Sequence, residues 1–281
     1  MVTDSTASLT AEIVAARGVT VVPLRVVVGT TSYDEGVADS VSPQRLAQAL
    51  RGRTPVSTSR PNPEEMLRTY EALASQGAEE IVSVHLSGDL SGTFESAQLA
   101  ASRSPVPVTV VDSRQVGMGT GFAVLAALDA LDDGADGPAV AEVARRRAAS
   151  TTSLFYVDTL EYLRRGGRIG AVGALVGSAL AVKPILTLED GRVVPFERVR
   201  TANRALLRLE ELAVQAAGDA PVDLAVSHLA SPDRAEELAR AVGGRLAESL
   251  EDREVHLGEI GAVLGAHVGP GMVAVVVSRR E

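Results

Sequence analysis

Two stretches rich in hydroxyl groups are the places where this chain could hold an anion: Ser57-Thr58-Ser59, just ahead of "RPNPEE", and "SGDLSGT", Ser87 to Thr93. In each, an extended segment runs out into Ser and Thr, and a helix follows. Free amides at a helix start attract negative charge, hydroxyls add neutral donors, and Gly92 lets a ligand approach the backbone. The same residues also suit plain structural work, with Ser91 as a cap and the glycines as a turn, so each loop alone leaves both readings open. "GAHVGPG" sets His267 among small residues where its ring would be reachable, although a lone histidine is more often structural. "RRGGRIG" gathers Arg164, Arg165 and Arg168 around a helix end. They read either as solvated charge or, with Arg198 and Arg200, as a docking patch for a phosphate-bearing partner.

Other chemistries lack their residues. With no cysteine there is no thiol nucleophile, disulfide or Cys-ligated zinc, and His85, His228 and His256 show no metal-ligand spacing, so no metal site is expected. A Walker loop is excluded because the one lysine, Lys183, precedes Pro184. "GMGTG", Gly117 to Gly121, lacks the last glycine of a dinucleotide fingerprint, since position 122 is Phe, and reads better as a helix start built from small residues. "GDLSG" misses the nucleophile elbow. No cofactor is expected. A net charge of −9 and only 3% aromatics oppose nucleic acid and an anionic membrane surface. The longest uncharged run, Ile260 to Ser278, is interrupted by glycines, Pro270 and His267 and reads as loop and strand, not as a stable membrane insertion. The opening "MVTDSTASLT" has neither the basic nor the apolar region of a secretory leader, so a cytoplasmic location is expected.

The elements that must position these residues follow a consistent pattern. At 281 residues about two domains are expected. Apolar runs at Val19 to Val28, Glu80 to Leu86 and Val108 to Val111 alternate with helices announced by Ser42-Pro43 and Asn62-Pro63, the latter completed as a capping box by Glu65. Asp158 to Glu161 reads as a second capping box, on a short helix ended by Gly166-Gly167. Asp190-Gly191 marks a hairpin, Thr201 and Ser231-Pro232 open helices, and "GMVAVVVS" closes the pattern as a strand. The expected architecture is α/β in two domains. Residues 1–150 are expected to form a parallel-sheet α/β/α domain carrying the two hydroxyl-rich loops, and residues 151–281 an α/β domain with a mixed sheet, the boundary falling where "VARRRAAS" gives way to "SLFYV". In a parallel sheet both hydroxyl clusters would lie at the carboxyl ends of strands, where ligands usually bind.

Taken together and in order, "VTDSTASL", "TSRPNPEE", "LSGDLSGTFESA", "VVDS", "DTLEYLRRGGRIG", "KPIL", "RVRT" and "GAHVGPG" resemble the DegV family of bacterial fatty-acid-binding proteins along the whole chain. The resemblance implies one long-chain fatty acid held in a tunnel at the interface of two domains, without catalysis by the chain itself. It also implies a separate ATP-dependent fatty acid kinase as partner, which makes an acyl phosphate for phospholipid synthesis. Carried over by motif, the carboxylate end would be held by Thr58 or Ser59 together with Ser91 and the Gly92 amide, with His267 at the same polar end. Arg168 and Arg200 match family arginines associated with engagement of the kinase, and are expected on the surface, apart from the hydroxyls. Two departures bear on the transfer: "VTDST" follows a single residue, so a short first strand is expected, and Arg60 stands where glutamine is common. Two rival readings remain at this point. One is an acyl-handling serine hydrolase with Ser91 as nucleophile and His267 as base, which needs a third group to orient the histidine; the other is a lipid-responsive regulatory protein.

Overall fold

A computed structural model describes residues 1–37, 39–169 and 183–280. The first half starts with β1 (Val2–Asp4), one 3-10 turn, α1 (Ala11–Arg17) and β2 (Thr20–Val22). β3 (Arg25–Val28), β4 (Thr31–Asp34), α2 (Pro43–Arg51) and β5 (Val56–Ser59) follow. Next come α3 (Pro63–Ser75), β6 (Ile81–His85), α4 (Thr93–Ala101), β7 (Val108–Asp112), α5 (Met118–Asp132) and α6 (Gly137–Ala149).

β2, β1, β6 and β7 pair in that order as a parallel sheet. Such a sheet is covered on both faces, which is why every residue of β6 is buried. On one face Val82, Val84 and Val111 pack against alanines and Val124 of α5 and α6; on the other, Val2, Val22 and Ile81 meet Met66, Leu67 and Tyr70 of α3 and two alanines of α4. The apolar run Val19 to Val28, expected as one strand, is instead split between two sheets. Pro23 has no amide to continue a ladder, the Leu24 amide donates to Ser5 Oγ at 3.0 Å, and β3 joins a separate antiparallel sheet in the order β4-β3-β5.

The second half comprises β8 (Thr151–Tyr156), α7 (Glu161–Arg165), β9 (Lys183–Glu189), β10 (Arg192–Val199) and α8 (Ala202–Ala217). It continues through β11 (Val222–His228), α9 (Pro232–Arg245), α10 (Ala247–Leu250), β12 (His256–Glu259), α11 (Ala262–Val268) and β13 (Val273–Arg279). Its strands form a mixed sheet in the order β10-β9-β8-β13-β11-β12. α8 and α9 cover one face, around Leu209, Leu224, Leu238 and Val275. The other face, with Phe155, Leu186 and Val193, turns toward the small antiparallel sheet, α2, α7 and α11.

The caps expected at Ser42, Asn62 and Thr201 are in place, including the reciprocal Asn62–Glu65 box. Both residues of the Asp190-Gly191 turn have positive φ, 51° and 79°. Asp158 does not cap α7: its carboxylate is taken by the Tyr156 hydroxyl and by Lys183 Nζ at 3.2 Å, while Thr159 Oγ1 accepts the Glu161 amide. Ser231 likewise opens α9 without a side-chain cap. The uncharged run Ile260 to Ser278 becomes α11 and β13, and no helix among the described residues is long and apolar enough to cross a membrane.

A buried relay of hydroxyl, imidazole and carboxylate ties β1, β6 and α3 together. Tyr70 Oη donates to Ser83 Oγ at 2.9 Å, Ser83 Oγ lies 2.8 Å from His85 Nε2, and His85 Nδ1 lies 3.0 Å from Asp4 Oδ2. The Leu86 amide donates to the same Asp4 oxygen, and Thr6 donates to the other. If each hydroxyl donates once along this line, His85 carries its proton on Nδ1 and no donor is left over. Burial pushes the Tyr70 phenol up to about 12, so it stays protonated as the relay requires.

Candidate functional site

Where the mixed sheet faces the first half there is a cavity of about 450 Å³, lined by residues of both halves. That is the size range of small-ligand sites, roughly 300–1,000 Å³. Much of its wall is apolar: Leu154, Phe155 and Val276 from the mixed sheet, Val263 and Leu264 from α11, and Met118 at the start of α5. One region is polar. There the end of β5 supplies Thr58, Ser59 and Arg60, the turn before α4 supplies Ser91 and Gly92, the turn after α7 supplies Arg168, and α11 supplies His267.

Strand alternation decides which hydroxyl of β5 points inward. Thr58 is half-buried and its Oγ1 lies 2.9 Å from His267 Nε2, whereas Ser59 is exposed at the rim. His267 Nδ1 is buried against Gly166 and has no partner among the described residues. Burial, reinforced by the Arg168 cation, lowers the imidazole from 6.5 to about 4, so the ring is neutral at neutral pH. Gly92, not Ser91, is the N-cap of α4, and no side chain caps this helix. Ser91 Oγ instead lies 2.9 Å from Thr93 Oγ1. The helix start therefore opens on the cavity with its amide groups unclaimed by any side chain. The Arg60 guanidinium lies across Gly92, where a Cβ would fall within it, and reaches Glu95 at 3.1 Å.

All five residues expected at the carboxylate end line this one cavity, and Arg168 lines it with them. The expected separation of the arginines from the hydroxyls does not describe Arg168. Half-buried, it donates from Nε to the Leu90 carbonyl at 3.1 Å and from Nη1 to the Gly166 carbonyl. Gly167, with a φ of +67°, precedes it in the turn that ends α7. Gly170, the last glycine of that motif, lies outside the described residues. Arg200 is exposed and outside the cavity, as is Arg198. Arg60 entered the sequence reading only as a departure from pattern, since nothing in its spacing signals that it lies across a glycine from another segment.

The geometry does not join Ser91 to His267. Ser91 Oγ pairs with Thr93 and His267 Nε2 with Thr58, while His267 Nδ1 meets no carboxylate among the described residues. The residues of a hydrolase triad do occur together in Ser83, His85 and Asp4. They are fully buried, Tyr70 occupies the serine hydroxyl, and none of them lines the cavity. Among the described residues no cluster of three or more His, Asp or Glu could hold a metal.

The two halves of this α/β chain enclose an apolar cavity that ends on hydroxyls, a helix start and a guanidinium, and comparison with known proteins gives the chain a family. The profile of the family described as "Uncharacterised protein, DegV family" matches residues 1–280, so the chain belongs to the DegV family. A DegV domain-containing protein of Streptomyces coelicolor is 54% identical over 280 residues, covering 100% of this chain and 98% of that one. Among solved structures, a DegV family protein from Thermus thermophilus, described as binding fatty acid, superposes with a TM-score of 0.91 at 34% identity, covering 99% and 98% of the two chains. DegV of Bacillus subtilis, described as a fatty acid binding protein, gives 0.90 at 29%, with the same coverage.

Proposed function

We propose that this chain is a noncatalytic carrier of one long-chain fatty acid. Its carboxylate is held by Thr58, Ser91, the Gly92 amide and His267, with Ser59 at the rim, and its tail lies in the cavity. The observation that carries the reading is the juxtaposition of an apolar chamber with an uncapped helix start and a half-buried cation. Burying a palmitate-sized tail is worth on the order of 10 kcal/mol gross at ~0.8 kcal/mol per methylene, much of it offset by lost freedom. Tight retention therefore needs no covalent bond, and the head group is left to fix orientation. Arg168, facing the same polar region, is available as a counter-charge for the carboxylate.

Mass spectrometry of the intact protein under native conditions, followed by its organic extract, tests this directly. A stoichiometric fatty acid is the expected outcome. Lipid-free protein that also takes up none on addition would sink the reading.

The finer part of the proposal is that a separate ATP-dependent kinase phosphorylates the bound carboxylate to an acyl phosphate, which feeds phospholipid synthesis in the cytoplasm. It is supported by the absence of any Walker loop in the sequence and by exposed Arg200 outside the cavity. Arg200→Ala should keep its lipid and lose acyl phosphate formation with a cognate kinase and ATP, whereas Arg168→Ala should lose both. Full product from lipid-loaded Arg200→Ala would remove Arg200 from the partner contact.

A further inference from the structure

Glu35 follows β4 and is 7% exposed. Its own amide donates to the Leu24 carbonyl at 2.8 Å, which fixes it to the segment that crosses between the two sheets of the first half. Its Oε1 accepts the amide of Val263 at 2.8 Å, a contact across 228 positions of sequence. α11 has no side-chain cap of its own, because its N-cap is Gly261, and a Cβ there would lie 2.3 Å from Glu35 Oε1. Glycine is what allows the carboxyl to reach the helix start. Glu35 Oε2 is buried without a hydrogen-bond partner among the described residues. Burial raises this carboxyl above its ordinary range, partly opposed by the Val263 amide. A buried, half-satisfied carboxyl is costly and adds little stability for its own sake.

The helix it grips does much of the work at the cavity. Val263, Leu264, His267 and Val268 all line it, and His267 in the last turn meets Thr58. His267 follows Val263 by four positions, a rise of about 6 Å. We infer that Glu35 is a positioning residue for the polar end of the cavity: by holding the start of α11 from the first half, it sets the height at which His267 stands against Thr58. The functional part of this inference rests on the carrier reading, while its geometric part does not.

The test uses the full chain with Glu35→Ala, Glu35→Gln and Gly261→Ala, and two readouts. The first is the imidazole signals of His267 by NMR, assigned by their loss in His267→Asn. The second is the rate at which bound palmitate passes to excess albumin. Glu35→Ala should move the His267 signals toward those of a hydrated ring and speed palmitate release roughly tenfold. Glu35→Gln, which keeps an acceptor for the Val263 amide, should restore both. Gly261→Ala, which pushes the intact carboxyl off the helix, should resemble Glu35→Ala and stands in for it if that variant does not fold. Unchanged His267 signals and release rate in folded Glu35→Ala or Gly261→Ala overturn the assignment. Equal loss in Glu35→Gln and Glu35→Ala also overturns it, because charge and not the grip on the amide would then be the working property. If the wild type takes up no palmitate, the carrier reading fails, and the His267 signals still decide the positioning role.

Discussion

His267 lies in a half-buried setting that refuses a proton, and this has a measurable consequence at the scale of one residue. Its imidazole titrates near 6.5 in the unfolded chain and at about 4 in the fold. Between those values the unfolded chain binds a proton that the folded one does not, so stability is lost as pH falls through the window. His267→Asn should flatten the acid side of a plot of Tm against pH relative to the wild type; parallel curves would mean that the ring charges normally in place. Ser91 makes a different kind of contribution. Its hydroxyl is committed only to Thr93, so it can turn to a carboxylate, and Ser91→Ala should weaken palmitate retention about tenfold, the worth of one hydrogen bond to a charged group. Equal retention would return Ser91 to a turn residue. Residue type marked Thr58, Ser91 and His267 as candidates, but each also suited plain structural work, and only the ordered motifs of the family resemblance joined them into one proposed site. Arg168 was not legible in the same way. Which side of a glycine turn a side chain faces depends on a φ angle that the sequence does not carry.

The start of α5 illustrates how an element can look like a motif and serve as packing. In "GMGTG" a Cβ at Gly119 would come within 2.9 Å of Gln115 Oε1, and one at Gly121 within 2.6 Å of the Ala7 carbonyl. The small residues let α5 lie close on the turn after β1 and on β8, where the sequence reading had expected only a helix start built from small residues. Backbone cannot move aside as a flexible side chain can, so Gly121→Ala should destabilise by about 1–3 kcal/mol in urea unfolding. A loss below measurement error would mean that α5 can shift outward at little cost. Proline-opened helices and the Asp190-Gly191 hairpin were readable because their signals are local. The false capping box at Asp158 and the divided run Val19 to Val28 were not, for a shared reason: a partner outside the local pattern outcompeted it. Tyr156 and Lys183 claim the Asp158 carboxylate, and Ser5 claims the Leu24 amide.

At the scale of the whole molecule, the cavity is assembled from both halves, so a ligand in it binds only the assembled state. After removal of copurified lipid, palmitate at a hundred times its Kd should stabilise the fold by about 2.7 kcal/mol and raise Tm by several degrees. An unmoved Tm would count against occupancy of the shared cavity. The order of strands in the mixed sheet adds a constraint in time. β13 comes after β8 and β11 in the sequence yet lies between them, and it carries Ala274 and Val276 of the cavity wall. Until it emerges from the ribosome, β8 and β11 have no common neighbour and the chamber has no floor. On the carrier reading no acyl chain is held until β13 has joined the sheet, and chains stalled before Val273 should retain no palmitate.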